Sequence, residues 1–307
     1  MLVIKTRQLL RICLASICVA AVARALEPKK SPTSKLYVAE TNGENQIDTG
    51  TEIDDLTKKS VYNAEGTAIE TKAHSTSSIV LSNGTGVFVD NSTLVQVRGF
   101  EQEAFRPNRS DVEDEPSLSR THLYVERGVI GVSTSKLVAG STMVYDTSLA
   151  SAVIRGRQAV ILAEDNLTVI SMVQGEATVQ AGPLDRPRLV RNHQQIIIRP
   201  GKPGEANIVE IQDIPSGSSE DSIQWLEERV QTADNARKLV YFEVQARKGS
   251  DGGVTLFDAA SNDSSGKQTG SSGNGSSSSG NEIVAVPVVP MDPTVQPNVS
   301  PANLISH

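Results

Sequence analysis

The chain of 307 residues has two cysteines, and both, Cys13 and Cys18, lie within its first 25 residues. If that stretch is removed, no disulfide, thiol nucleophile or thiolate metal ligand remains, and any folded part must rest on an ordinary core. Histidine is scarce. His74, His122, His193 and His307 stand apart from one another, and no His-Glu-x-x-His pair occurs, so no zinc-hydrolase arrangement is predicted. The chain also lacks a Gly-x-Ser-x-Gly elbow, a Gly-x-x-x-x-Gly-Lys loop and a strand-linked Gly-x-Gly-x-x-Gly, which excludes the common signatures of serine hydrolases and nucleotide binders. Aromatic residues make up only 4% and are not interleaved with basic clusters, as a nucleic-acid surface would require. No cofactor and no metal are expected.

The N-terminus reads as an export signal. Lys5, Arg7 and Arg11 precede the apolar stretch Ile12 to Val22, and Ala23-Arg24-Ala25 offers a small-x-small cleavage site. That stretch is shorter than the ~20 residues that cross a bilayer, which favours a cleaved signal over 1–25 rather than an anchor. No later apolar run is long enough to be a membrane span. The expected location is the periplasm, the cell surface or the medium. Losing the four cations Lys5, Arg7, Arg11 and Arg24 takes the formal charge from −7 to −11. Such an acidic chain argues against nucleic acid or anionic membranes as partners.

What the sequence does have is short β-rich runs. Residues 26–60 are polar and predict a flexible N-terminal segment. From Val61 to residue 200 come "TAIET", "SSIVLS", "GVFVD", "TLVQVRGF", "HLYVERGVIGV", "SKLVAG", "TMVYDT", "SAVIRG", "AVILAE", "LTVISMV", "EATVQAG" and "QQIIIRPG". Val, Ile, Thr and Tyr dominate them, and Gly, Asn, Asp and Ser punctuate them. This predicts an all-β domain over 61–200, either a layered β-sandwich or a short β-solenoid.

Residues 201–257 predict a helix-and-strand extension. From Ser219 onward Ile223, Leu226, Val230, Ala233 and Ala236 recur at steps of three and four, with Glu220 and Asp221 at the start and Arg237 and Lys238 at the end. This amphipathic helix is expected to pack its stripe on the sheet; the alternative is a helix presenting Ile223, Leu226 and Val230 to a partner. "LVYFEVQA" (239–246) reads as a strand. In 258–307, a Ser/Gly/Asn linker is followed by Pro287, Pro290, Pro293, Pro297 and Pro301, which predicts a disordered, extended tail.

Three sharper readings compete with plainer ones. "FEQEAFRPNRSDVEDEPSLSR" (100–120) is expected as a solvated surface insertion. Its Asp111, Glu113, Asp114 and Glu115 would suit calcium but lack the defined loop spacing. Asp48-Thr49-Gly50 matches the aspartic-protease trigram, yet a shared-proton dyad needs a second carboxylate about 3 Å away, and Asp146-Thr147-Ser148 lacks the glycine. A turn at Asp48 is preferred to a hydrolase of scattered carboxylates. Seven Asn-x-Ser/Thr sequons begin at Asn83, Asn91, Asn108, Asn166, Asn262, Asn274 and Asn298, and chance occurrence is the preferred reading. Arg155, Arg157, Arg186, Arg188 and Arg191 are candidates for an anion patch. In "VIRGRQAVIL" (153–162), Gly156 interrupts an apolar run. The expectation is a turn or bulge between two strands, with the arginines reaching away from the core.

The order of these pieces resembles the FecR family, named for the ferric-citrate signalling regulator of bacteria. The matching series is Gly66 with "TAIET", "KAHSTSSIVLSNG", "GVFVD" and "TLVQV", then "HLYVERGVIGV", "KLVAGSTMVYDT" and "AVIRGRQAVILAEDNLTVISMVQGEATV". Coverage is roughly 61–200. The resemblance makes Arg155, Gly156, Arg157 and Gly175 a structural turn motif and Arg155 a structural arginine. Arg157 stands where the family has Thr or Ser. The implied protein is a non-enzymatic exported scaffold or binding module for an envelope protein or glycan. The alternative is a receptor-coupled periplasmic sensor, although the family's anti-sigma segment and membrane span are not seen here.

Overall fold

The structure, a computed structural model, describes residues 34–103, 105, 113–183, 185–217, 222–247 and 282–288. In chain order the elements are β1 (Lys35–Asn42), β2 (Asn45–Asp48), β3 (Ile53–Asp55), β4 (Val61–Asn63), β5 (Ala68–Thr71), β6 (Thr76–Leu81), β7 (Gly86–Val89), β8 (Leu94–Gln102), β9 (Ser119–Ser133), β10 (Thr142–Asp146), β11 (Ser151–Glu164), β12 (Leu167–Gln180), β13 (Arg188–Val190), β14 (Gln194–Arg199) and β15 (Ile208–Asp213). The helix α1 (Ile223–Lys238), β16 (Tyr241–Arg247) and β17 (Glu282–Val288) follow. Among the described residues the fold is all-β with one helix, as expected.

Three long strands organise it by changing partners half-way. The first part of β9 lies between β8 and β10, and its last part, Gly128 to Ser133, lies between β7 and β11. Likewise β11 pairs with β10 near its start and with β9 near its end, while β12 passes from β14 to β13. The open sheet thereby folds over one core. Leu36, Ile47, Ile69, Ile79, Val97, Leu123, Ile130, Met143, Ile161 and Ile196, from nine strands, are buried together. Burial of this kind contributes about 1.5–3 kcal/mol for each large aliphatic side chain, so this cluster is the main source of stability.

Several expectations are corrected. Residues from Lys35 are not a flexible approach: β1, β2 and β3 belong to the sheet, and Leu36, Val38 and Ile47 are fully buried. Composition averaged over 26–60 hides them, because their buried apolar residues are confined to the short run Leu36 to Ala39 and to Ile47. "SAVIRG" and "AVILAE" are one strand, as are "LTVISMV" and "EATVQAG"; Gly156 and Gly175 interrupt the pattern without ending the strand. "SKLVAG" is a loop carrying a single bridge from Asp114 to Lys136. Past residue 200 the sheet continues, since β15 pairs with β14. Within the expected tail, β17 pairs antiparallel with β16; the rest of 258–307, residues 1–33 and the acids Glu220 and Asp221 lie outside the described residues.

The helix lies on the outer face of the layer that contains β1, β6, β7 and β11. Tyr37, Ala39 and Val80 alternate with inward residues of β1 and β6 and meet Ala236, while Val160 and Val173 meet Leu226 and Val230. With both faces covered, these strands read as continuous apolar runs rather than alternating ones, as in "SSIVLS". Approach is close: a Cβ at Gly86 would sit 2.1 Å from the Ala233 carbonyl oxygen, and one at Gly131 would sit 2.8 Å from the Arg229 carbonyl. Arg229 anchors the helix from its side. Its guanidinium bonds Asp90 (Nε–Oδ2 2.7 Å) and stacks on Trp225, 3.4 Å from the ring centre.

Candidate binding cleft

The interrupted run "VIRGRQAVIL" shapes the site. Gly156 faces Gly175 across β11 and β12, and neither has room for a side chain. A Cβ at Gly156 would lie 2.6 Å from the Gln174 carbonyl oxygen, and one at Gly175 (φ +108°) would lie 2.3 Å from the Gly156 Cα. The register then steps from Gly156–Gly175 to Gln158–Gln174, leaving Arg157 as an extra residue. A bulge of this kind breaks the alternation of side chains and re-aims one of them. On its other edge the bulge is fixed by Thr134, whose N–H donates to the Arg157 carbonyl (2.8 Å) and whose hydroxyl donates to that of Gly156 (2.9 Å). The expected bulge is therefore present, but inside one strand rather than between two.

Consequently Arg157 and Gln158 both line one cleft. Its floor is a cross-strand row, Ser133 on β9, Gln158 on β11 and Gln174 on β12, which continues from Gly86 beneath α1. The C-terminal turn of α1 contributes Asp234, Arg237 and Lys238, and the insertion after β8 contributes Glu113. The open cleft has a volume of about 210 Å³.

Its electrostatics are a graded ion-pair network. Arg237 is buried; its Nε donates to Asp234 Oδ1 at 2.8 Å and to Ser133 Oγ at 3.2 Å. Lys238 Nζ reaches the other Asp234 oxygen at 2.6 Å. Burial pushes the Asp234 carboxyl up, but hydrogen bonds from Lys238 and Ser133 and the Arg237 charge outweigh it and hold the group below the usual aspartate range. Glu113 accepts a hydrogen bond from Arg157 Nη2 and lies 3.7 Å from Arg237 Nη2. The Arg157 hydrogen bond, with the charges of Arg237, Arg157 and Lys238, keeps Glu113 ionised well below its ordinary value despite partial desolvation.

The insertion is thus not simply solvated. Phe105 packs with Tyr37, Val80 and Ala236. Buried Glu115 accepts from Ser119 Oγ (2.5 Å) and from the Val138 N–H (2.8 Å). Its backbone and that of Glu113 bond Lys136. These carboxylates are engaged by protein groups, Asp111 lies outside the described residues, and among the described residues no group of three or more metal-ligating side chains forms.

The other candidates are dispersed. Arg155, expected as the structural arginine, is exposed opposite Glu176, and its side chain makes no hydrogen bond or ion pair among the described residues; the arginine with an ion-pair partner is Arg157. Arg188 bonds Asp185 and the Val209 carbonyl, so the five arginines do not share one anion patch. Leu226 and Val230 are covered by the sheet, and partly buried Ile223 packs beside them. Asp48 accepts the Gly50 N–H in a turn (2.7 Å), and Asp146 meets His122 Nε2 (2.6 Å). The two aspartates are joined by a row through Ala68, Gln96 and Tyr124, four strand steps or roughly 19 Å along the sheet. They form no dyad. Asn83 is fully buried, donating to Ser119 and Thr121, whereas Asn91 and Asn166 are exposed in turns. No motif marks Asp234 or Lys238 as site residues, and the acidic run marks Glu113 only as a calcium candidate. The one sequence signal was Arg157, where the chain departs from the pattern it otherwise resembles.

Fold and cleft together define a helix-capped all-β domain of long shared strands. No protein-family model and no curated protein matches the chain. Two solved structures, both of a putative anti-sigma factor from Parabacteroides distasonis ATCC 8503, are similar over 48% of this chain, with 15% and 16% identity and TM-scores of 0.35 and 0.36. The similar region spans 59% of those chains. Among the described residues no helix is long and apolar enough to cross a membrane.

Proposed function

We propose that this chain is a non-enzymatic, exported, FecR-like β-domain that serves as a binding or scaffold module for an envelope protein or glycan, in the periplasm or at the cell surface. The observation that carries the reading is the cleft. Segments remote in sequence converge there and bring Arg157, Arg237, Lys238, Glu113 and Asp234 around one polar depression. The motif order over 61–200 supports the FecR-like part, and the signal-like N-terminus supports export. The test is capture from the native envelope fraction by the wild-type chain and by an Arg157→Glu/Lys238→Glu variant with an unchanged melting curve. A partner held by the former and lost by the latter is the expected result; identical capture overturns the role of the cleft. Hydrolysis of protein or polysaccharide substrates that disappears with Asp48→Asn would overturn the non-enzymatic reading.

A second reading, a receptor-coupled envelope sensor, is favoured by the same resemblance in motif order. It requires an outer-membrane receptor to co-purify with the chain, and a sigma-dependent transcriptional response to change when the chain is deleted.

A further inference from the structure

We propose that the cleft is a carboxylate-recognition site for an acidic peptide segment of a protein partner, and that Glu113 is its internal occupant. The inference rests on the binding-module reading and specifies its ligand.

Four observations carry it. First, the cleft already holds a glutamate side chain. Arg157 donates to Glu113, and Arg237 stands 3.7 Å away. Second, the positive groups are held in place. Arg237 is fixed by Asp234 and Ser133, Lys238 is paired with Asp234, and the backbone that carries Arg157 is tied down by Thr134. Guanidinium donors match a planar carboxylate. Third, if Glu113 leaves, three cations remain against Asp234 alone, a local positive site in a chain whose formal charge is −7. Fourth, the amides of Gln158 and Gln174 line the floor with no hydrogen-bond partner among the described residues, so they can serve an incoming group.

Size and presentation select a peptide. A volume of about 210 Å³ lies below the ~300–1,000 Å³ of pockets for whole small molecules, so it suits one side chain at a time. The present occupant is offered beside an isolated parallel β-bridge from Asp114 to Lys136: the Lys136 N–H donates to the Glu113 carbonyl (2.7 Å), and the Glu115 N–H donates to the Lys136 carbonyl (2.9 Å). A partner strand bearing Glu or Asp would present its carboxylate in the same way. Glu113 itself remains half exposed, so it can be exchanged without opening the core. Its carboxyl is held ionised at neutral pH and competes for the site there.

The probe is a fluorescein-labelled acetyl-Gly-Glu-Glu-Gly amide, followed by anisotropy with the full chain at low ionic strength. If Glu113 fills the site nine-tenths of the time, Glu113→Ala tightens binding about tenfold, because the competent fraction rises to one. Adding Arg157→Gln to that variant abolishes the gain, and salt weakens binding throughout. Equal binding by wild type and Glu113→Ala overturns the proposal, as does a gain that survives Arg157→Gln. Polygalacturonate displacing the peptide at lower carboxylate concentration overturns the choice of peptide in favour of a glycan.

Should the alanine variant unfold, the wild-type chain provides the second measurement. Saturating peptide must free the Glu113 segment and speed amide exchange at Glu115 and Lys136, and unchanged exchange refutes displacement. Envelope capture that depends on the cleft without peptide binding would remove the carboxylate specificity and leave the binding module standing. Peptide binding without capture would do the reverse.

Discussion

Replacing Gly86 by alanine tests how the helix is seated. A Cβ there would stand 2.1 Å from the Ala233 carbonyl oxygen, whereas ordinary contact begins at 3.4 Å, so α1 must lift by about 1.3 Å over β7. Nothing flexible can give way, because the clashing atom is helix backbone. Forced expansion of a packed interface costs about 1–3 kcal/mol, and the reduced freedom of the unfolded chain offsets about 0.4–1 kcal/mol. With so short a contact the upper part of the first range applies, and the net loss should be about 2 kcal/mol. For a domain of this size that corresponds to a fall in Tm of about 4–8 °C. Trp225, the single tryptophan, lies on α1 and stacks with Arg229, so its fluorescence reports the helix directly during urea unfolding. Gly99→Ala is the control: its new Cβ would lie 3.7 Å from the nearest atom, His122 Cβ, and stability should change by less than about 0.5 kcal/mol. Gly86→Ala matching wild type, or losing stability with an unchanged native Trp225 spectrum, would refute the account of helix seating.

Three more expectations follow from named groups. Arg155→Ala should leave the urea midpoint within about 0.5 kcal/mol of wild type, because the side chain is exposed and bonds nothing described; a loss above 1.5 kcal/mol would restore it as a structural arginine. In a glycosylating secretory host, peptide mass spectrometry should find glycan at Asn91 or Asn166 and none at buried Asn83, whose occupancy would contradict its burial. Asp234→Asn should destabilise at neutral pH, with the gap to wild type closing in acid. The folded carboxyl titrates below its unfolded value of ~3.9, so its contribution is full above that pH and is lost as pH falls through the folded value. A gap that stays constant from pH 7 to pH 2.5 would show that the charge contributes nothing.

Much of the fold was legible from local pattern. The β-rich runs between Val61 and residue 200 became strands with few exceptions, and the three-and-four spacing of Leu226, Val230, Ala233 and Ala236 marked the buried stripe of α1. The failures share a cause. Strand boundaries at Gly156 and Gly175 were inferred from a residue type that usually ends strands, but here glycine lets two continuous strands approach each other. The strands within residues 35–55 are concealed by averaged polarity, because their buried apolar residues are few and confined to Leu36 to Ala39 and Ile47. The insertion reads as solvated because its acids outnumber its apolar residues, and the burial of Phe105 and Glu115 is not visible in the composition.

The candidate site was less legible. Arg157 stood out as a departure from an expected hydroxyl residue, but nothing local tied it to Glu113, 44 residues earlier, or to Arg237 on the helix. Charge counts pointed to an acidic chain and could not show where its cations gather.

The sequence by itself determined that this is a β-rich chain with one amphipathic helix, without the common nucleotide, zinc or serine-hydrolase signatures, because periodicity and motif spacing are local properties. Only the tertiary structure decided what Arg155-Gly156-Arg157 is. An unpaired residue in one long strand turns Arg157, and not Arg155, toward a cleft shared with a helix and an insertion. That outcome depends on register between strands and on contacts distant in sequence, and neither is written in the run of residues itself.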